Sequence, residues 1–319
     1  MKRLAILTSG GDSPGMNAAI RAIVRSSIKY NIQAFGVIHG YDGLINNEFE
    51  ELDVASVGDI VHRGGTILKT ARSEKFKTLE GQKIAAENLL KNDIDALVVI
   101  GGDGSLRGAA EISKLGVNVV VLPATIDNDM GCTDFTIGFD TAVNTVLDAI
   151  SKIRDTGSSH DRISIIEVMG RHCGDIALQA GVSGGADYIL IPELVCDYNE
   201  LLEKISNSCE RDKKHSIIVR AEGADISNDE ISKVVREATG EEARLTVLGY
   251  IQRGGSPTNR DRMIASLMGA YAVELINNDD GNKVICQRGN DIVGVDIDEA
   301  IHLEREPDFG LLRIALQLS

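Results

Sequence analysis

Residues 96–105 read Ala-Leu-Val-Val-Ile-Gly-Gly-Asp-Gly-Ser, and they decide the fold. The run 96–100 is wholly apolar and rich in β-branched residues, the pattern of a strand buried on both faces of a parallel sheet. Glycines 101 and 102 turn the chain, and a helical pattern starts at Ser105. The same unit recurs along the sequence. Residues 4–8 lead to Gly10-Gly11-Asp12 and a helix from about Pro14. Residues 117–122 lead to Thr125-Ile126-Asp127-Asn128-Asp129, and 163–168 lead to Met169-Gly170-Arg171. Residues 215–219 run to Glu222-Gly223, and 245–251 to Gln252-Arg253-Gly254-Gly255. This alternation predicts the α/β class. With 319 residues, it predicts two three-layer α/β/α domains with mainly parallel sheets. Ligands of such sheets sit at the carboxyl ends of the strands, where these polar turns fall.

Two helices can be read more closely. Ser13 is a good N-cap with Pro14 at the first helical position. Met16, Ile20, Ile23, Val24 and Ile28 then form an apolar stripe, with Arg21, Arg25 and Lys29 on another face. Val143, Val146, Leu147, Ile150 and Ile153 form a second stripe. Residues 284–288 and 291–295 flank Gly289-Asn290, which predicts a hairpin.

Composition narrows the function. Hydrophobic residues make up 43% and charged residues 25%, as in an ordinary globular protein. No apolar run approaches the ~20 residues that cross a bilayer. The apolar stretch after Met1-Lys2-Arg3 is too short for a signal peptide, so a cytoplasmic protein is expected. Five scattered cysteines without a Cys-x-x-Cys pair argue against a disulfide framework or a zinc ribbon. A net charge of −15 argues against nucleic acid and anionic membrane as partners. An acidic chain that binds anions must do so through local clusters of Arg and Lys.

Paired glycines after a buried strand let backbone N–H groups approach a phosphate chain, and the helix start behind them favours its charge. An Asp there can hold Mg²⁺, which takes oxygen ligands and keeps substrate phosphates in its shell. One such turn reads as a capped turn; Asp12 and Asp103 at matching strand ends read as a nucleotide phosphate site. There is no G-x-x-x-x-G-K-[ST], so this is not a P-loop enzyme. Residues 125–129 read equally as an Asx-rich turn or as a carboxylate set to take a proton from a substrate hydroxyl. Arg171 follows a strand, and Arg72, Arg162, Arg244 and Arg253 also fall at turns. Phosphoryl transfer needs such donors. The six histidines show no metal-ligand spacing, and no Gly-x-Ser-x-Gly elbow occurs.

Taken together, Gly10-Gly11-Asp12-Ser13-Pro14-Gly15-Met16-Asn17, Gly101-Gly102-Asp103-Gly104-Ser105, Pro123-Ala124-Thr125-Ile126-Asp127-Asn128-Asp129, Met169-Gly170-Arg171 and Gln252-Arg253-Gly254-Gly255-Ser256-Pro257-Thr258 resemble the bacterial, ATP-dependent 6-phosphofructokinases. The resemblance runs from residue 1 to about 275 and implies the rest. An ATP-binding domain is expected over 1–138 plus 252–302, and a sugar-phosphate domain over 139–251 plus 303–319. Gly11, Arg72, Ser73, Gly102, Asp103, Gly104 and Ser105 would line the ATP site, with Asp103 on Mg²⁺. Asp127 would be the base, helped by Thr125 and flanked by Ile126, and Arg171 would stabilise the transferring group. Met169, Gly170, Glu222, Tyr250, Ile251, Gln252 and Arg253 would contact fructose 6-phosphate. Arg162 and Arg244 would reach its phosphate from a neighbouring subunit of a homotetramer. An effector site for ADP or phosphoenolpyruvate would use Arg21, Ala22, Ile23, Val24 and Arg25, with Gly58 and Asp59. It would also use Arg154, Gly185, Ala186, Asp187, Arg211, Lys213, Lys214 and His215.

Three positions depart from the family pattern. Ala124 stands where ATP-using members commonly carry Gly, Tyr250 where a His is usual, and Asp187 where an effector-site Glu is common. The rival is a pyrophosphate-dependent phosphofructokinase, whose branch typically carries Asp at the position of Gly104 and Lys at that of Ala124. A dinucleotide-dependent oxidoreductase would need a true G-x-G-x-x-G, which is missing. A metabolite sensor would have no reason to keep Asp103 and Asp127 together.

Overall fold

The computed structural model describes residues 1–160, 162–210 and 215–318. It divides into two compact units, Met1–Thr141 with Arg253–Arg305, and Ala142–Gln252 with Glu306–Ser319. The first unit opens with β1 (Arg3–Ser9), α1 (Met16–Lys29), β2 (Gln33–Val37), α2 (Gly40–Asn46) and β3 (Phe49–Leu52). It continues through α3 (Leu79–Lys91), β4 (Ala96–Gly101), α4 (Asp103–Ser113) and β5 (Val119–Pro123). Helix α5 (Phe139–Ser159) leads on to β6 (Ile163–Val168), α6 (Asp175–Ser183), β7 (Tyr188–Leu190) and α7 (Tyr198–Glu210). Then follow β8 (Ser216–Ala221), α8 (Asn228–Thr239) and β9 (Arg244–Val247). The remaining elements are α9 (Asn259–Asn277), β10 (Lys283–Arg288), β11 (Asp291–Asp296), α10 (Ile297–Ala300) and α11 (Phe309–Leu318).

The seven-stranded sheet of the first unit runs β11-β10-β5-β4-β1-β2-β3. Its interior pairs are parallel, and the outer pairs β2–β3 and β10–β11 are antiparallel. Side chains of a strand alternate between faces, and both faces here are apolar. Leu4, Ile6, Val98, Ile100, Val120 and Leu122 pack with α1 and α9. Ala5, Leu7, Leu97, Val99, Val119 and Val121 pack with α2, α3 and α4. Full burial of each Val, Ile or Leu is worth about 1.5–3 kcal/mol, so the continuous apolar runs supply the main drive for a three-layer fold. The second unit carries a four-stranded parallel sheet, β7-β8-β6-β9. Ile163, Ile165 and Ile218 pack with α7 and α8 on one side. Ile166 and Val219, of opposite parity, are equally buried. The α/β class holds, and so does the hairpin at Gly289-Asn290. No helix among the described residues is long and apolar enough to cross a membrane.

The structure departs from the sequence reading in three places. Helix α1 starts at Met16 after Gly15, whose φ of 110° only glycine adopts cheaply. Ser13 is no cap; its hydroxyl donates to the Ile137 carbonyl at 2.9 Å. The strand expected over 245–251 stops at Val247, because Gly249 enters the left-handed region and residues Gly249–Arg253 wind into a 3-10 turn. The short strands β2, β3 and β7 were not expected at all.

One buried carboxylate braces the end of the long loop after β5. Asp261, in the first turn of α9, accepts the N–H groups of Gly138 (2.9 Å) and Thr141 (2.8 Å) and the Thr141 hydroxyl. Burial pushes its carboxyl up to about 6, and these donors hold it from rising further. A carboxyl whose pKa is higher folded than unfolded contributes stability that is complete below the unfolded value and is lost as pH rises through the folded one. The parent should therefore lose about 2 kcal/mol relative to Asp261→Asn between pH 4 and 7. Urea midpoints across that range test this, and parallel profiles for the two proteins would overturn it.

Candidate functional site

Strands β5, β4 and β1 lie side by side, and their carboxyl ends converge. The Ala124 N–H donates to the Gly101 carbonyl at 2.9 Å. A Cβ on Gly101 would lie 2.6 Å from the Ser9 carbonyl oxygen and 2.7 Å from Ser105 Cβ, so only glycine lets the three segments meet. Thr125 packs against Gly102, 3.3 Å from where a Cβ would stand. Gly102 is the N-cap of α4 and offers no side-chain cap. The first N–H groups of that helix are left for an anion. Asp103 opens the helix with its carboxylate half-exposed, accepting from Arg107 Nε at 2.9 Å. That bond and the Asp103 charge raise the Arg107 pKa.

Ser105 is buried, and its carbonyl accepts from the Tyr41 hydroxyl at 2.7 Å. Burial pushes the Tyr41 hydroxyl far above the usual phenol range. Tyr41 stacks on Phe76 at 3.9 Å between centroids. The Phe76 N–H donates to Ser73 Oγ at 3.1 Å. Arg72 and Ser73 are thereby tied to the start of α4, with Arg72 exposed. A Cβ on Gly11 would be 3.4 Å from the Arg253 guanidinium, so these two expected site residues are neighbours.

Asp127 is 3% exposed. Its N–H donates to Thr125 Oγ1 at 3.2 Å. Asn128, with φ of 53°, locks the turn. Its side chain accepts from the Thr136 N–H (3.0 Å) and donates to the Asp134 carbonyl (3.2 Å). The backbone that carries this buried carboxylate is therefore fixed just beyond a strand end, and a carboxylate so placed can serve as a proton acceptor for a bound hydroxyl.

In the second unit, residues 169–174 follow β6. The Met169 N–H donates to Gln252 Oε1 (3.2 Å), and Gln252 Nε2 donates to the Gly249 carbonyl (3.0 Å). Arg171 is exposed in the left-handed region, with φ of 54°. Its N–H donates to Glu222 Oε1 at 3.0 Å. A Cβ on Gly223 would overlap the Arg171 carbonyl oxygen. The Gly174 N–H donates to Glu193 Oε1 at 2.7 Å. Met169, Gly170, Arg171, Glu222 and Gln252 are thus brought together. Glu193 was not expected; an isolated Glu in a loop carries no sequence signal.

Arg162 and Arg244 are not part of this cluster. Arg162 precedes β6, and Arg244 opens β9 in register with Ser164. They sit at the amino ends of the strands, separated from Met169 by a six-residue strand of about 20 Å. Tyr250 and Ile251 are exposed (78% and 59%) in the turn after β9. On α1, Arg25 is exposed and Arg21 half-buried, while Ala22, Ile23 and Val24 are committed to the core. In the second unit, Arg154 Nη2 donates to the carbonyls of Gly184 (2.6 Å) and Gly185 (2.7 Å). Ala186 is buried. Asp187 Oδ2 accepts the Ile217 N–H at 2.7 Å. His215 is half-buried; Arg211, Lys213 and Lys214 lie outside the described residues. Gly58 and Asp59 share a turn closed by Gly58 N–H donating to the Ala55 carbonyl. Among the described residues no group of three or more His, Cys, Asp or Glu could hold a metal.

Parallel strand ends carrying glycine turns, an uncapped helix start with an Asp, and a buried Asp alongside define a phosphate-handling α/β protein. The Phosphofructokinase family matches residues 3–276, and the chain belongs to that family. Over its full length it is 55% identical to an "ATP-dependent 6-phosphofructokinase" of Alkaliphilus metalliredigens and 53% identical to one of Bacillus pumilus, covering 100% of each. A phosphofructokinase structure from Saccharomyces cerevisiae superposes with a TM-score of 0.89 at 34% identity over 100% of the chain, which spans 47% of the yeast chain. A pyrophosphate-dependent phosphofructokinase structure from Marinobacter aquaeolei gives 0.86 at 23% identity, covering 97% of this chain and 86% of that one; this is a likeness of fold.

Two glycines separate packing from open space. Gly223→Ala should cost about 1–3 kcal/mol, because the new methyl must push the Arg171 carbonyl away. Gly104→Ala meets nothing within 4 Å, and should be neutral or stabilise α4 by up to ~1 kcal/mol. Equal urea midpoints for the two variants would contradict this.

Proposed function

We propose that the chain transfers the γ-phosphoryl group of ATP to the 1-hydroxyl of fructose 6-phosphate, giving fructose 1,6-bisphosphate and ADP, as a cytoplasmic enzyme of glycolysis. Its full-length kinship with ATP-dependent 6-phosphofructokinases supports this. The observation that carries the chemistry is the buried Asp127 held beside the glycine turn of an uncapped helix. The open space at Gly104 leaves room for a nucleotide, which weighs against pyrophosphate as the donor.

On this reading the glycine turns at Gly11 and Gly102–Ser105, with Arg72 and Ser73, hold the triphosphate. The start of α4 places N–H groups and dipole against its charge. Asp127 accepts the proton of the 1-hydroxyl as the oxygen attacks phosphorus, and Thr125 fixes the turn that carries it. Arg171, Arg72 and Arg253 supply positive charge for the transferring group and the sugar phosphate. Met169, Glu222 and Gln252 orient the sugar. Mg²⁺ takes one or two carboxylates and completes its shell with phosphate and water. Asp103 fits that role, since its exposed pair with Arg107 is cheap to exchange. When bound, the ion would neutralise charge on the phosphates.

The position of Arg162 and Arg244 at the amino ends of β6 and β9 supports their service to a sugar bound by a neighbouring copy, within a homotetramer. ADP or phosphoenolpyruvate is the proposed effector, held by Arg21, Arg25, Gly58, Asp59, Arg154, Gly185, Asp187 and the basic segment 211–215.

Steady-state assays test the reaction. Turnover is expected with ATP and not with pyrophosphate, and Asp127→Asn should lower kcat by ~10²–10⁴-fold with little change in KM for fructose 6-phosphate. A near-normal kcat in the variant, or turnover with pyrophosphate alone, would sink the assignment. The combined Arg25→Ala and Lys213→Ala variant should lose the response to ADP and phosphoenolpyruvate while its basal kcat stays unchanged. Identical effector curves would refute the effector site.

A further inference from the structure

Arg220 is the penultimate residue of β8, a strand buried at every position. Only 8% of it is exposed. Removing a guanidinium from water costs several kcal/mol unless its donors are matched, and here they are. Nη1 donates to Glu167 Oε2 at 2.7 Å, across the register pair that joins β6 to β8. Nε donates to the Ile226 carbonyl at 2.6 Å, and Nη2 donates to the carbonyls of Ala224 (3.2 Å) and Glu222 (3.4 Å). Glu167 is held in turn by Asn228 Nδ2 at the first turn of α8.

The turn after β8 is therefore wrapped around one side chain, with alternate carbonyls 222, 224 and 226 facing the guanidinium. A buried ion pair by itself is weak support for stability, since apolar residues of the same volume often serve as well. An apolar side chain at 220 could not hold three carbonyls at once. Their common effect is to fix where Glu222 and Gly223 stand. Glu222 takes the Arg171 N–H, and Gly223 lies against the Arg171 carbonyl. Arg171 is a non-glycine residue in the left-handed region, a conformation that persists only where its surroundings impose it.

We propose that Arg220 is a positioning residue for the sugar-phosphate site: through the 222–226 turn it sets Glu222, and through Glu222 the backbone of Arg171. This rests on the fructose 6-phosphate reading of the same site.

A double-mutant cycle tests it, with kcat, both KM values and thermal midpoints measured for the parent, Arg220→Met, Glu222→Ala and the double variant. Arg220→Met should raise KM for fructose 6-phosphate about tenfold and leave KM for ATP within about twofold. In the Glu222→Ala background, where the Arg171 N–H has lost its acceptor, its effect should shrink to about twofold, because both changes break one chain of contacts. Arg220→Lys, which keeps the charge beside Glu167 but lacks the planar fork, should fall between. An unchanged KM for fructose 6-phosphate in Arg220→Met overturns the proposal. So does an effect that persists in full beside Glu222→Ala, or one that raises both KM values together. If Arg220→Met does not fold, the same cycle run with Arg220→Lys decides by the same criterion. A parent that does not turn over fructose 6-phosphate sinks the functional reading and this inference with it; an active parent with additive variants sinks the inference alone.

Discussion

At the ends of parallel strands in this chain backbone comes close to backbone, and the clusters of polar groups found there depend on it. At Gly101 the carboxyl ends of β1 and β4 and the head of α4 come so near that a methyl group would fall within 2.6 Å of the Ser9 carbonyl. At Gly223 the turn after β8 touches the Arg171 carbonyl. Parallel pairing aligns strand ends without help from the loops. What the loops add is the missing Cβ, which lets polar groups carried by separate strands gather into one cluster. Thr125 against Gly102 and Glu222 against Arg171 are both consequences. A sheet with larger residues at these ends would keep its core and lose the clusters.

Charge imposes the second constraint. A chain of net charge −15 repels phosphate at a distance, so any affinity must be generated within a few ångströms, where short-range donors outweigh the field. The first unit offers an uncapped helix start, and the second an exposed Arg171 whose backbone is pinned on both sides. Both devices are directional. Donors of this kind favour a phosphate oxygen in one place rather than negative charge in general, which suits an enzyme that must hold two anionic substrates.

How much of this was legible in the sequence follows from the range of each interaction. The strands 96–101 and 163–168 declare themselves because buried apolar runs are local signals, and the glycine-aspartate turns mark their ends. The edge strand β3, Phe49-Glu50-Glu51-Leu52, has exposed carboxylates and no such run. Strand β7 is three residues long. Ser13 looks like a helix cap in one dimension; Ile137, more than a hundred residues on, takes its hydroxyl in three. Arg220 is the sharpest case. In sequence it is one charge inside an apolar run, an apparent fault in a buried strand. Its meaning depends on Glu167 across the sheet and on three carbonyls of the next turn, none of which a local pattern reports.

The same reasoning explains why the chain tolerates Asp261 in its interior. Two helix starts share that carboxylate, since Asp261 lies in the first turn of α9 and accepts N–H groups where α5 begins. Each helix start favours a negative charge, and Thr258 and Thr141 complete the arrangement, with the Thr258 N–H donating to Thr141 Oγ1 at 3.0 Å. Desolvation still outweighs them, which is why the carboxyl titrates above its ordinary range. A Thr or Asn there would avoid that cost, but neither offers two oxygens to three donors. The loop that leaves β5 carries Asp127 and must return to a fixed point if the carboxylate is to be held at its strand end. Asp261 supplies that point. Burying one charge thus fixes the frame that carries another, some 130 residues earlier in the chain.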